Sequence, residues 1–383
     1  MRIAVDAREL CGRPTGVGRY LSELLTEWSG SSTASRHDWT LYAHKPFLSA
    51  EAPSAKAEGL PWSDRLRVLE GNGGTVWEQL TLAGALRRDR PDVLFAPGYT
   101  APLFQPAPTV QTIHDVSFFA HPEWFGPREG FRRRLITRWS ARRARIVLTD
   151  SQFSKGEIAR FIGPADLRVI LLGMRSVAAP AFAQSSTFAK APADEPAVTR
   201  EPLVLYVGSV FDRRRVDQLI ASFDRVVDRV PGARLEIVGE NRTSRPRLDL
   251  DALRAGTRHP ERISIRSYVD EATLRGLYAH ASVFAFLSEY EGFGLTPLEA
   301  LRAGVAPVVL DTPVAREVCG PAARYVAASA TADAVTDTVT DLLTSAGARA
   351  QILDQAPQVL ARYDWATAAA ATLAAIEEGA DAR

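Results

Sequence analysis

Two hydrophobic rhythms alternate along this chain. Short β-branched runs at Arg2-Ile3-Ala4-Val5, Asp92-Val93-Leu94-Phe95, Thr109-Val110-Gln111-Thr112-Ile113, Ile146-Val147-Leu148-Thr149 and Val169-Ile170-Leu171-Leu172 are separated by amphipathic stretches. That alternation predicts an α/β domain built on a parallel sheet. The rhythm stops between Ser176 and Pro202, where Ala, Pro, Ser and Thr dominate without a period, and residues 176–200 read as a linker. A second set of strands follows at Leu203–Val207, Leu235–Val238, Ile263–Ile265, Val283–Leu287 and Pro307–Leu310. Between its first two strands, Val216, Leu219, Ile220, Phe223, Val226, Val227 and Val230 form a helical stripe that can cover one sheet face. The expectation is two Rossmann-like, doubly wound domains, 1–175 and 201–364. Their ligands would sit beyond the strand ends, in a cleft where the domains face each other. The Ala-rich segment from Trp365 onward predicts a last helix, over about 365–383, that crosses back to the first domain.

Composition narrows the class without naming a function. A chain of 383 residues suits two domains, and 46% apolar with 24% charged residues is an ordinary globular balance. Forty-six Lys and Arg against forty-five Asp and Glu give a net charge of +1, so no nucleic-acid partner is expected. Cys11 and Cys319 have no metal-ligand spacing, and neither a signal peptide nor an apolar span of membrane length is present in the sequence. A reducing cytoplasm is the expected location, with peripheral attachment to the inner face of the membrane as an option.

Candidate chemistry gathers at strand ends. Glu291-Gly292-Phe293-Gly294-Leu295-Thr296-Pro297-Leu298-Glu299 follows a buried strand and opens a helix, a place where glycines and free N–H groups suit a phosphate. The same residues contain a capping box, Thr296-x-x-Glu299, in which Glu299 would only reach back to a backbone N–H. Gly208-Ser209 ends another strand, and Arg213, Arg214 and Arg215 precede its helix, offering forked donors to a diphosphate or else a solvated charged face. Gly12 through Arg19 includes Gly16, Val17 and Gly18 but has Leu21 where a dinucleotide fingerprint needs a third glycine. Asp38, about twenty residues on, keeps an oxidoreductase open. His114-Asp115 closes a strand, with Asp115 a candidate cap. No Cys/His cluster suggests zinc, and Asp249-Leu250-Asp251 resembles a metal-binding pair only superficially. From Arg128 to Arg145 there are eight arginines and one acid. Phe131, Leu135 and Trp139 share one stripe, and Arg134, Arg138 and Arg142 another. Such a helix suits an anionic lipid surface, unless the aromatic stripe packs on its own domain.

Taken together, these residues resemble the retaining GT-B glycosyltransferases of family four. Tyr206-Val207-Gly208-Ser209 with Arg213-Arg214, and Tyr290-Glu291-Gly292-Phe293-Gly294-Leu295 through Glu299-Ala300, carry the resemblance. Weaker landmarks run in order: Met1 through Arg8, Thr15 through Tyr20, Trp77-Glu78-Gln79, Thr112-Ile113-His114-Asp115, Asp150 through Ser154 and Leu172-Gly173. The resemblance implies a nucleotide-sugar donor in the second domain and a glycan or lipid-linked acceptor in the first. By it, Glu299 holds ribose, Glu291 and His114 face the transferred sugar, and Phe293, Gly294 and Leu295 lend N–H groups. Gly208 and Ser209 form the donor turn, Arg213 and Arg214 bind the diphosphate, Tyr268 and Val269 flank the base, and Gly16, Val17 and Gly18 close the cleft. Arg214 stands where the family usually has lysine, and Ser267 where it usually has glycine. The implied catalytic set is His114, Glu291 and Arg213, with no metal and no cofactor. A non-catalytic sugar-nucleotide-binding regulator and a Rossmann-type oxidoreductase are the alternatives.

Overall fold

The computed structural model describes residues 1–12, 15–46, 62–174, 200–244 and 246–381; the linker expected over 176–200 lies outside them except for Arg200. Two compact units emerge, one of residues 1–173 with 363–383 and one of residues 174–362.

The first unit is a seven-stranded, wholly parallel sheet. Its strands are β1 (Arg2–Asp6), β2 (Asp38–Ala43), β3 (Leu66–Val68), β4 (Val93–Ala96), β5 (Thr109–Thr112), β6 (Ile146–Thr149) and β7 (Leu167–Val169), in the order β3-β2-β1-β4-β5-β6-β7. The second unit has six parallel strands, β8 (Glu201–Val207), β9 (Arg234–Val238), β10 (Ile263–Arg266), β11 (Ala281–Phe286), β12 (Ala306–Leu310) and β13 (Arg324–Val326), in the order β10-β9-β8-β11-β12-β13. Both central strand sets are buried throughout, as parallel strands covered on both faces require, which explains their continuous apolar runs. The α/β class with two doubly wound sheets is thus in place. Each sheet reverses its strand order once, between β1 and β4 and between β8 and β11, and such reversals open a crevice at the strands' carboxyl ends.

Three strands escape the sequence pattern: β2, β3 and β13. Strand β7 spans Leu167–Val169 and shares only Val169 with the expected run Val169–Leu172. The helix Gly16–Ser29 buries Leu21, Leu24, Leu25 and Trp28 and takes its N-cap from Thr15, whose hydroxyl accepts from the Gly18 N–H. The last helix, Trp365–Asp381, packs within the first unit. The Trp28 indole donates to the Ala369 carbonyl at 2.9 Å, and Arg168 binds Glu378 through both Nη atoms at 2.6 and 2.7 Å. Asp38 opens β2 opposite Arg2, at the amino ends of the strands. A ribose-binding acid of the dinucleotide type would have to stand at the other end, so the oxidoreductase expectation loses its acidic residue.

Candidate functional site

In the second unit the site is assembled by two strand ends. Beyond β8 the chain turns at Gly208, whose φ of +137° suits glycine, and passes through the short 3₁₀ turn Asp212–Arg214. It enters the helix Val216–Arg229 from Arg215 in the left-handed region, φ +47°. A Cβ at Gly208 would meet Arg214 Nη1 at 2.8 Å, so the missing side chain makes room for this guanidinium. Beyond β11, Ser288, Tyr290 and Glu291 lead into the helix Leu295–Arg302.

The two loops meet through charge. Arg214 Nε and Ser288 Oγ both donate to Glu291 Oε1 at 2.8 Å, while Arg214 Nη1 donates to the Ser209 carbonyl at 2.9 Å. Arg213 stands 4.0 Å from the same carboxylate oxygen, donates from Nε to the Tyr290 carbonyl at 3.1 Å and lies over the Phe211 ring. All three charged side chains are only 13–15% exposed. Burial pushes the Glu291 carboxyl up, but Arg214 and then Arg213 outweigh it and hold it below the ordinary glutamate value, so it is ionised at neutral pH. Burial likewise works against the Arg214 charge, and Glu291 overrides it and raises that group above the usual arginine range. Arg214 spends both prongs of its fork here, which a lysine could not match. Arg215 faces elsewhere, onto Glu289 and the Ala328 carbonyl.

The helix Leu295–Arg302 starts from Gly294 at φ +97°, with no side chain capping it. Thr296 is therefore inside the helix rather than at its cap, and the capping-box reading of Glu299 fails. The helix runs two residues longer at its amino end than that motif supposes. An uncapped N-terminus beside two arginines is an anion-binding arrangement. A small pocket of about 20 Å³ lies beside Glu291, lined among others by Ser288, Phe293, Gly294 and Thr312. Tyr268, 78% exposed, and Val269 follow β10, two strands away from β8 in the same sheet.

In the first unit His114 follows β5. Its Nδ1 lies 2.6 Å from Asp150 Oδ2 and its Nε2 2.9 Å from the Pro97 carbonyl. Both partners only accept, so both ring nitrogens are placed to donate, which favours the protonated ring. Burial disfavours that charge, yet Asp150 prevails and holds the histidine above its ordinary value. Asp115 does act as a local cap, accepting from the Ser117 N–H at 2.8 Å, and also accepts from the Tyr99 hydroxyl at 2.9 Å. Gly16, Val17 and Gly18 form the first turn of the helix after Thr15. Ser288, Asp150 and Pro97 are partners that residue patterns did not single out as site groups: a serine and a backbone carbonyl carry no spacing signal. Asp249 accepts from the Ala252 N–H and caps a helix, and among the described residues no group of three or more His, Cys, Asp or Glu is placed to hold a metal ion.

The basic helix spans Pro127–Arg143 and is turned unexpectedly. Arg134, Arg138 and Arg142 point into the unit, donating to the carbonyls of Phe118, Phe161 and Ile162 at 3.0, 3.0 and 2.9 Å. Phe131, Leu135 and Trp139 face outward, 62%, 44% and 48% exposed, with Phe104 nearby in the same unit at 60%. Arg143 lies over both Phe104 and Trp139. The aromatic stripe therefore does not pack on its own domain. No helix among the described residues is long and apolar enough to cross a membrane.

Comparison with known proteins gives these arrangements a context. The profile described as Glycosyl transferases group 1 matches residues 188–359, and that described as Glycosyltransferase Family 4 matches residues 14–175. O-antigen chain mannosyltransferase B of Escherichia coli is 30% identical over 221 residues, a match spanning 56% of this chain and only 55% of that protein. A glycogen synthase of Mycobacterium tuberculosis is 26% identical over 320 residues, 76% of this chain and 72% of that protein. Among solved structures, sucrose-phosphate synthase from Thermosynechococcus elongatus shares the fold with a TM-score of 0.74 at 16% identity, covering 99% of this chain and 98% of that one.

Proposed function

Because the chain belongs to the group 1, family 4 glycosyltransferases, we propose that it is a retaining hexosyltransferase using a nucleoside-diphosphate sugar. The acceptor is a hydroxyl of a glycan or lipid-linked oligosaccharide, and the setting is the synthesis of a cell-surface polysaccharide. The observation that carries this reading is the meeting of Arg213, Arg214 and Glu291 beside the uncapped helix at Leu295, at the β8/β11 reversal.

The chemistry follows from those groups. The bond between the anomeric carbon and the β-phosphate oxygen breaks, leaving its electron pair on phosphate, and the acceptor oxygen bonds to that carbon on the same face. Its proton passes to the departing phosphate oxygen. Arg213, with Arg214 behind it and the N–H groups of Phe293, Gly294 and Leu295, stabilises the growing diphosphate charge as an oxyanion hole does. Glu291, kept ionised, faces the oxocarbenium-like carbon, and a covalent double displacement through it is the weaker alternative. Glu299 holds ribose, and Tyr268 and Val269 flank the base. The acceptor belongs to the first unit, with His114 and the Gly16–Gly18 turn as that unit's groups. No metal enters the scheme, so turnover should survive EDTA; loss of activity restored by Mg²⁺ would overturn that part.

GDP-mannose is the first choice of donor, supported by the mannosyltransferase relative, and a UDP-sugar the second; the glycogen synthase relative favours a glucosyl donor. Thermal shift against GDP, UDP, ADP and NAD separates these, since a ligand at a hundred times its Kd adds about 2.7 kcal/mol. Stabilisation by NAD alone would restore the oxidoreductase, and GDP binding without turnover of GDP-mannose would favour the regulatory partner. The exposed Phe104, Phe131, Leu135 and Trp139, with Arg143 among them, support docking on an anionic membrane surface. Co-sedimentation with anionic vesicles that weakens with salt, and fails for Trp139→Ser, is the expected outcome; equal binding to neutral vesicles would count against it.

A further inference from the structure

The strand reversal of the first unit holds a second buried charge cluster, which the transfer scheme above leaves unused. Asp6 ends β1, Arg8 stands in the 3₁₀ turn Arg8–Leu10, Glu78 comes from the π-helical segment Trp77–Leu82, and Thr100 follows β4. Asp6 and Glu78 are 2% and 1% exposed. Arg8 Nη2 lies 3.3 Å from Asp6 Oδ2 and 2.5 Å from Glu78 Oε1, and donates to Thr100 Oγ1 at 3.3 Å. The Thr100 hydroxyl in turn donates to Glu78 Oε1 at 2.7 Å, and the Gln79 amide donates to Oε2 at 3.0 Å.

Two arms leave this cluster. One runs through Glu9, the neighbour of Arg8: the Thr15 hydroxyl donates to Glu9 Oε2 at 3.0 Å and accepts from the Gly18 N–H at 2.9 Å. A Cβ on Gly18 would collide with the Glu9 carbonyl, so this turn is seated directly on the Arg8–Leu10 backbone. The other arm runs through Thr100 into the loop after β4. There Pro97 offers its carbonyl to His114, a Cβ on Gly98 would meet Val17 at 3.1 Å, and Tyr99 sits at φ +43° with its hydroxyl on Asp115.

A buried trio of two carboxylates and one guanidinium is poorly explained by stability, since desolvating it costs more than an apolar core of equal volume. A π-helical turn and a non-glycine residue at positive φ on either side of it are irregularities that concentrate at functional sites. We propose that Asp6, Arg8 and Glu78 are positioning residues that brace the Gly16–Gly18 turn and the Pro97–Thr100 loop under His114 in one fixed arrangement, presetting the acceptor side of the reaction. The link to the acceptor rests on the reading of function given above; the brace itself does not.

Amide hydrogen exchange on the full chain tests it, with Glu78→Gln, which keeps size, and Arg8→Lys, which keeps charge but loses the fork. Exchange in residues 15–20 and 97–100 should rise about tenfold in both variants, while segments 201–210 and 291–299 stay as in wild type. With GDP-mannose as donor and methyl α-mannoside as acceptor, transfer should fall about tenfold or more, and hydrolysis by water should stay within about twofold. Exchange unchanged in both segments, or raised throughout the first unit with a lower Tm, would overturn the brace. So would a local change in exchange that leaves transfer and hydrolysis both unaltered. If the wild type turns over no GDP-mannose at all, the choice of donor fails, and the exchange data still decide the brace.

Discussion

The two strand reversals share a topology and differ in charge. At β8/β11 two guanidiniums, Arg213 and Arg214, surround one carboxylate, Glu291; at β1/β4 two carboxylates, Asp6 and Glu78, surround one guanidinium, Arg8. Parallel sheets with the same reversal open the same kind of crevice, so the fold alone cannot say which unit takes a diphosphate. The charge surplus can. A cationic excess beside an uncapped helix attracts an anion, whereas an anionic excess repels one and is suited to holding neutral, hydroxyl-rich surroundings in place.

The largest effect should come from removing Arg213 from that cationic excess. Arg213→Ala takes away a donor whose value grows as charge moves onto the departing diphosphate, so kcat should fall by about 10²–10³-fold, with a smaller loss of nucleoside diphosphate affinity. Single-turnover kinetics together with calorimetric titration of GDP separate the two. An unchanged chemical rate would erase the distinction drawn between the two reversals.

Glu299 sharpens the donor side at smaller amplitude. The helix Leu295–Arg302 has Gly294 as its N-cap, so Glu299 is not the partner of a Thr296 cap, and the ribose-binding role proposed for it can be tested without that complication. Glu299→Gln should weaken GDP about tenfold and raise donor KM by a similar factor, leaving kcat within a few-fold, because ribose does not change during the reaction. Melting temperatures of the Gln and Ala variants are measured alongside. A destabilised Ala variant with wild-type GDP affinity would return the residue to a purely structural place.

Legibility in the sequence followed the same divide. The Arg213, Arg214 and Glu291 cluster lies in two compact segments, 208–215 and 288–299, where glycines, arginines and glutamates fall next to strand ends, and these segments stand out by their spacing. The brace joins Arg8 to Glu78 and Thr100 across 70 and 92 positions, and no local pattern encodes such a contact. Trp77-Glu78-Gln79 stood out only by resemblance. Strands β3 and β13 are three residues long and lie at sheet edges, too short for a period, and β2 carries Asp38 and Thr40 within an otherwise apolar run. The orientation of the helix Pro127–Arg143 was the least legible feature. Its arginines are drawn inward by the carbonyls of Phe118, Phe161 and Ile162, an arrangement that hydropathy alone would reverse.

His114 offers a test on the acceptor side. Its ring is held charged by Asp150, so a proton NMR titration should place its midpoint above the ordinary 6.5 in wild type. In Asp150→Asn the largest attraction is gone while burial, the Pro97 carbonyl and Asp115 remain, so the midpoint should fall below that of wild type. A midpoint unmoved by this substitution would mean that Asp150 does not set the charge of the ring.

The smallest and most direct comparison sets the carboxylates of the two reversals against each other by pH. Burial pushes the Asp6 carboxyl up to about 6, with Arg8 drawing it down and Glu78 and Glu9 raising it. Its folded value lies above its ordinary 3.8, so the stability it contributes is full below that value and is lost as pH rises through about 6. Glu291 has the opposite sign. Burial raises it, but Arg214 and Arg213 bring it below its ordinary 4.5, so its contribution is present above that value and is lost as pH falls through the depressed one. Asp6→Asn should therefore gain on wild type between about pH 4 and pH 6, and Glu291→Gln should lose ground to wild type as pH rises toward about 4.5. Urea unfolding of both variants across this range gives the two difference curves. Curves that bend in opposite directions support one cationic and one anionic centre on a shared topology, while curves that bend the same way would show that the two reversals are electrostatically alike.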